Sequence, residues 1–139
     1  MEIIPYLSFN GRGDEAVEFY KKALGAKVNM LMRFKEAPTE ARAGMTPGSE
    51  NKIMHADLSV GKARLFLSDG HCTGTTSFNG ISLSLQTPTD AETERAFHAL
   101  AESGKVTMPF GKTFFASAFG MVTDRFGVSW MVITQQQGH

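Results

Sequence analysis

Excess charge of either sign is missing from this 139-residue chain, in which 14 Lys plus Arg offset 14 Asp plus Glu. A balanced surface exerts no long-range pull on phosphates or anionic headgroups, which sets nucleic acid and membrane aside as partners. Cysteine is scarce too: Cys72 is alone, so no internal disulfide is available. No apolar run approaches the roughly 20 residues of a spanning helix. Met1 to Phe9 also lacks a basic segment followed by an export-length apolar stretch, and the expected compartment is the cytoplasm. A Gly-rich cofactor turn is absent as well; Gly11-Arg12-Gly13 is the nearest approach, and a lone G-x-G is a weak signal. What is present is 42% hydrophobic residues, enough to fill the core of one domain spanning residues 1–139.

The chain says much the same thing twice. Shifting Ile3 to Met30 forward by 78 positions makes seven residues coincide: Ile3 with Ile81, Leu7 with Leu85, Phe19 with Phe97, Ala23 with Ala101, Lys27 with Lys105, Val28 with Val106 and Met30 with Met108. Each half reads strand, helix, strand. A tandem duplication, with repeat units at about 1–70 and 79–135, lets two open sheets face each other across a cleft, the place for a small molecule.

Local patterns fill in the units. Ile3 to Phe9 reads as a strand ended by Asn10-Gly11-Arg12-Gly13. From Asp14 the apolar period becomes helical through Ala16, Val17, Tyr20, Ala23 and Leu24, with Gly25 as the stop. Lys27 to Phe34 is a strand, and Lys35 to Lys52 a flexible loop placed to flank a binding site. Ile53 to Val60 and Ala63 to Ser68 form a hairpin around Gly61-Lys62. Asp69 to Asn79 bridges the halves. Ile81 to Gln86 alternates apolar with polar residues, Thr89 and Glu92 make a capping-box pattern, and the helix runs to about Ser103 with Gly104 ending it. Val106 to Phe110, Phe114 to Val122 and Val128 to Thr134 supply three further strands. The sum is two βαβββ units in an α+β fold, the second with the shorter middle loop.

That order, joined to three stretches, resembles the vicinal oxygen chelate superfamily, which includes glyoxalase I, bleomycin-resistance proteins and extradiol dioxygenases. The stretches are Pro5-Tyr6-Leu7-Ser8-Phe9 with Phe19-Tyr20 and Leu24-Gly25; His55-Ala56-Asp57 ahead of Leu67-Ser68-Asp69; and Phe119 to Met131. The last is the most specific and is similar to the PhnB-like branch. The resemblance implies curved sheets enclosing a cavity, and a homodimer. In metal-using relatives it implies four His, Glu or Gln ligands from the first and last strand of each unit, holding a divalent cation that polarises a carbonyl or enolate.

Carried onto this chain, those ligand positions fall at or next to Pro5, around Ile81 to Leu83, near Leu65 to Leu67 and at Trp130 to Met131. None offers a hard donor, and methionine suits copper(I) far better than magnesium, zinc or iron(II). The expectation is no metal and no cofactor; a slip of one or two positions would bring in His55 or Asp69. His55 reads either as a base or lone ligand, since histidine is the residue type that changes charge near neutrality, or as an orienting residue bonded to backbone. Phe110, Phe114, Phe115, Phe119, Phe126 and Trp130 read either as cavity lining or as plain core. Relatives often carry Trp where Phe115 stands. Asp124 before Arg125-Phe126-Gly127 is turn chemistry, and adjacency of His71 and Cys72 makes no nucleophile dyad. The expected ligand-binding set is Pro5, His55, Asp69, Phe115, Phe119, Trp130 and Met131.

Two functions follow. The first is a binder of a small organic molecule in an apolar cleft, without chemistry; the alternative is a metal-dependent lyase, isomerase or dioxygenase of the glyoxalase type. The PhnB-like branch is also called a demethylubiquinone methyltransferase, a label that the missing S-adenosylmethionine turn argues against. Whether any reaction is catalysed is left open by the residues.

Overall fold

The computed structural model describes residues 1–42, 45–70, 72 and 75–135; His71, half of the Cys-His adjacency, lies outside them. The chain divides into two compact units, Met1–Thr76 and Ser77–His139. Unit 1 contains β1 (Tyr6–Ser8), α1 (Gly13–Leu24), β2 (Lys27–Arg33), β3 (Ile53–Val60) and β4 (Ala63–Ser68), with its sheet ordered β1-β4-β3-β2. Unit 2 contains β5 (Ser82–Thr87), α2 (Asp90–Ala101), β6 (Lys105–Gly111), β7 (Phe119–Thr123) and β8 (Ser129–Thr134), ordered β5-β8-β7-β6. In each unit the first strand pairs parallel to the last and the other pairings are antiparallel. Both units are therefore βαβββ, and the fold is α+β.

Helix α1 buries Ala16, Val17, Phe19 and Tyr20, and Gly25 closes it in the left-handed conformation at φ 66°. Its N–H returns to Lys21 and Tyr20 carbonyls, satisfying acceptors that the last turn leaves open. Against it the sheet presents Leu7, Ala56, Leu58, Leu65 and Leu67, all buried. Each of these leucines contributes on the order of 1.5–3 kcal/mol by leaving water. In unit 2, α2 packs over β5, β6, β7 and β8, and Thr89 caps it by accepting the Glu92 N–H. The hairpin turn of β3 and β4 falls at Gly61-Lys62, as the sequence pattern predicts.

Three expected boundaries are corrected. The first strand is Tyr6–Ser8 rather than Ile3 to Phe9; proline at position 5 has no N–H to extend a ladder, although its carbonyl accepts from Phe66 N at 2.9 Å. Phe114 to Ala118 is not strand: Thr113 N donates to the Ala116 carbonyl and Phe115 N to the Thr113 hydroxyl, so the chain turns before Phe119. At the end of α2 the left-handed residue is Ser103, at φ 60°, and not Gly104. Gly104 is required for space instead, since a Cβ there would collide with the Thr123 carbonyl and the Asp124 backbone. The β2–β3 connection also has more order than a loop reading gives it. Phe34–Glu36 and Thr39–Arg42 are short 3-10 turns, and Phe34 N and Lys35 N bond back to the Lys52 and Glu50 carbonyls.

Candidate functional site on the open sheet faces

Strand alternation gives each sheet one face toward its helix and one face open. On the open face of unit 1, register sets Tyr6 beside Phe66, Phe66 beside Asp57 and Asp57 beside Met30. The corresponding row of unit 2 is Ser84, Met131, Met121 and Met108. Two residues before Asp57 stands His55, and two before Met121 stands Phe119, so these occupy matching places in the two units.

The unit 1 row is polar and aromatic. Tyr6 Oη lies 2.7 Å from His55 Nδ1. The Tyr6, His55 and Phe66 rings meet at centroid distances of 5.3 Å (Tyr6–His55), 4.9 Å (His55–Phe66) and 5.8 Å (Tyr6–Phe66). The Arg64 guanidinium sits 5.0 Å from the Phe66 centroid and donates to Asp57 Oδ2 at 2.6 Å and to Glu2 Oε1 at 3.1 Å. Asn29 Nδ2 reaches Asp57 Oδ1 at 3.3 Å and Ser59 Oγ at 2.6 Å. Arg64 holds the Asp57 carboxyl below its usual range; partial burial opposes this, and the Asn29 amide and His55 act in the same direction as Arg64. Partial burial pushes the Tyr6 phenol above 10.0, with a hydrogen bond from Ser68 pulling the other way.

The expected site residues are distributed unevenly. His55 faces outward on β3, in contact with Tyr6 and Phe66. Pro5 is one step out of phase with that face, and its carbonyl accepts from Phe66 N. Asp69 is fully buried, and its carboxylate accepts Gly11 N at 2.9 Å, Gly13 N at 2.7 Å and Ile53 N at 2.7 Å. Those bonds fasten the approach to α1 onto the start of β3, and the helix N-terminus favours the negative charge. Phe119 and Met131 lie on the face of unit 2 turned away from its helix, where Phe119 is buried, and Phe115 meets Phe119 edge-on at 4.9 Å. Trp130 lies on the opposite face, buried, and donates Nε1–H to Asp124 Oδ2 at 2.9 Å. Asp124 also takes Phe126 N and Val128 N, the turn chemistry read from the sequence.

Sequence reasoning passed over Tyr6, Phe66, Arg64 and Asp57. A signal was available in Ala63 to Ser68: with Leu65 and Leu67 inward, Arg64 and Phe66 must point to the other side. Among the described residues no three His, Cys, Asp or Glu side chains converge as a metal-holding group. No helix among them is long and apolar enough to cross a membrane.

Comparison with known proteins bears on the family and the fold. The family model described as 3-demethylubiquinone-9 3-methyltransferase matches residues 1–133. Protein YjdN of Escherichia coli (strain K12) is 35% identical over 144 residues, covering 99% of this chain and 98% of its own. The crystal structure of protein PA1353 from Pseudomonas aeruginosa superposes with a TM-score of 0.85 at 43% identity, covering 99% of each chain. A putative 3-demethylubiquinone-9 3-methyltransferase, PhnB protein, from Bacillus cereus gives 0.79 at 27% identity, with 97% of this chain and 100% of that one covered. At fold level alone, a glyoxylase/bleomycin resistance protein/dioxygenase domain from Frankia gives 0.60 at 16%, covering 91% of this chain and 85% of that one. The methyltransferase words are a family description; the only G-x-G turn here already has both glycine N–H groups bonded to Asp69. The chain belongs to the PhnB-like family carrying that description, and it shares the fold of the glyoxalase/bleomycin-resistance/dioxygenase domain.

Proposed function

We propose that this protein binds a small organic molecule on the open faces of its sheets and does so without a divalent metal. The observation that carries the reading is the side-chain row on each open face. Where the superfamily places ligands, on the first and last strand of each unit, this chain pairs Tyr6 with Phe66 and Ser84 with Met131. A phenol, a benzene ring, a hydroxyl and a thioether do not displace the hydration shell of a hard cation. Thioethers and aromatic rings are adaptable, polarisable contacts for an organic ligand, however.

In this reading His55 meets a ligand with Tyr6 and Phe66 on the face of unit 1, and Phe115, Phe119 and Met131 form the corresponding contact on unit 2. Pro5 sets the start of β1, while Asp69 and Trp130 serve the scaffold. The protein is further read as a cytoplasmic homodimer. Exposed Ile3, Ile81 and Val106 support a partner surface of that kind, and sedimentation equilibrium tests it. Methyl transfer has no place in the reading, and calorimetric binding of S-adenosylmethionine would restore it.

The decisive experiment pairs elemental analysis with methyl-labelled methionine spectra. The protein, purified without chelator and then titrated with Zn²⁺, Ni²⁺, Mn²⁺ and Fe²⁺, is expected to retain far less than one ion per chain. Titration with a panel of small aromatic carbonyl compounds is expected to move the Met108, Met121 and Met131 methyl signals. One tightly held ion per chain would replace this reading with a metal-dependent lyase, isomerase or dioxygenase.

A further inference from the structure

The Tyr6–His55 pair is a polar device on a face that the fold does not use for its core. Unit 1 is held together on the other side of its sheet, by Leu7, Ala56, Leu58, Leu65 and Leu67 against α1, and at its end by Asp69. Tyr6 is 53% exposed, so its hydroxyl stands where a ligand can reach it. At 2.7 Å the hydroxyl and Nδ1 are hydrogen-bonded, and with the imidazole proton on Nε2 the hydroxyl donates to Nδ1. Edge contacts with Phe66 fix both rings, so the alignment exists before any ligand arrives.

We infer that Tyr6 and His55 form a proton-transfer pair that enolises a ligand bearing a hydrogen next to a ketone, the 2-oxo acids being the class that fits best. This rests on the reading that the open face of unit 1 meets the ligand. In the step, Tyr6 Oη takes the proton from the carbon beside the carbonyl and passes its own proton to His55 Nδ1. The C–H bond breaks, its electron pair becomes the carbon–carbon double bond, and the carbonyl oxygen takes the negative charge. Proton return along the same path restores the ketone, and delivery to oxygen instead gives the enol. No oxidant, reductant or metal enters the balance.

The surroundings suit the charges that appear. An imidazolium at His55 has the Asp57 carboxylate two residues along the same strand face. Across from His55 on β2 is Met32, which carries no charge, and β4 contributes Phe66 and Arg64. Glu2 faces Arg64 from the chain start. Arg64 remains 40% exposed beside its two carboxylate partners and lies over Phe66 of the row, where it can meet a ligand carboxylate or enolate. A negative 2-oxo acid carries a carboxylate for Arg64 and a ketone for Tyr6, which is why that class is favoured.

Phenylpyruvate is the probe, since its enol absorbs in the ultraviolet and its methylene hydrogens exchange visibly by proton NMR in D₂O. With EDTA present, the intact protein is expected to accelerate tautomerisation and exchange by roughly 10²-fold or more over buffer. His55→Gln and Tyr6→Phe are each expected to lose at least about tenfold of that acceleration. Both substituted side chains lie outside the core, and unchanged circular dichroism and Trp130 fluorescence check the fold. Methionine methyl shifts on phenylpyruvate addition report binding separately. Binding without acceleration, or acceleration that survives in both variants, overturns the proton-transfer inference and leaves the binding reading standing. No binding at millimolar phenylpyruvate overturns the inference and removes this ligand class from the underlying reading.

Discussion

Two units of one topology fasten their helices by different means and present different open faces. At the end of β4, unit 1 places Asp69, whose carboxylate gathers three backbone N–H groups from two separate segments. At the corresponding end of β8, unit 2 places Thr134, whose hydroxyl meets Thr93 of α2 at 2.6 Å, with Thr93 meeting Thr87 at 2.6 Å. A buried charge concentrates the attachment in one residue; a hydroxyl chain spreads it over three. The open faces diverge in parallel, Tyr6, Phe66, Asp57 and His55 against Ser84, Met131, Met121 and Phe119. The same strand order thus leaves chemistry free to differ, so that the open face of one unit is polar and aromatic and that of the other polarisable.

The sharpest way to break the comparison is Asp69→Ala. Three N–H donors, two of them buried, would lose their acceptor at once, and the expected loss is about 3–5 kcal/mol in denaturant unfolding. Thr93→Val removes the middle hydroxyl of the unit 2 chain, where Thr87 keeps its bond to the Thr89 carbonyl. Its expected loss is smaller, about 1–2 kcal/mol. Equal losses in the two variants would mean that the charge adds nothing beyond its hydrogen bonds.

Between these falls Gly120→Ala. Gly120 on β7 corresponds to Ala56 on β3, each one residue before its open-face neighbour, Met121 or Asp57. Unit 1 accepts a methyl there, fully buried. In unit 2 a Cβ would stand 2.6 Å from ring atoms of Phe97. Overpacking of this kind costs about 1–3 kcal/mol. The reverse change, Ala56→Gly, is expected to cost roughly 1 kcal/mol through backbone entropy and a small void. Thermal melts of the two variants compare the helix–sheet gap in the two units directly.

Much of the architecture was legible where local chemistry dictates local shape. Gly25 after an amphipathic run, Gly61-Lys62 between alternating segments and Thr89 ahead of Glu92 each signal a boundary through a physical requirement of one or two residues. Legibility failed where a boundary depends on distant partners. Ile3 and Ile4 are good β-formers, yet Pro5 interrupts their ladder; Phe114 and Phe115 are equally good, yet the Thr113–Ala116 turn removes them from β7. The candidate site was read half in phase. Strand parity separates Tyr6 from Pro5, Phe66 from Leu65 and Met131 from Trp130, and a one-residue error transfers a side chain to the other face. Trp130 illustrates the difficulty, since an indole suits a ligand wall as well as a core until its N–H is seen bonded to Asp124.

The smallest expected effect concerns an ion pair that unit 2 cannot make. Arg33, the last residue of β2, donates to both oxygens of Asp14 on α1 at 3.0 and 2.9 Å, and to the Asn51 carbonyl at 2.7 Å. The last residue of β6 is Gly111, so the matching pair is missing there. The Arg33 hydrogen bond draws the Asp14 carboxyl below its ordinary value, against partial burial, with further attraction from Arg33 and Lys52 charge. A lowered folded-state value means that the stabilisation is complete above the unfolded carboxyl range, about pH 4, and fades as pH falls through the lower folded value. Because Asp14 is well exposed, solvent screening limits the pair to about 0.2–1 kcal/mol. Asp14→Asn should therefore lower the unfolding midpoint slightly at pH 7, and the gap from the unmodified protein should close progressively between roughly pH 4 and pH 2. A gap that persisted unchanged into acid would locate the effect in helix packing, and the α1–β2 attachment would then owe nothing to charge.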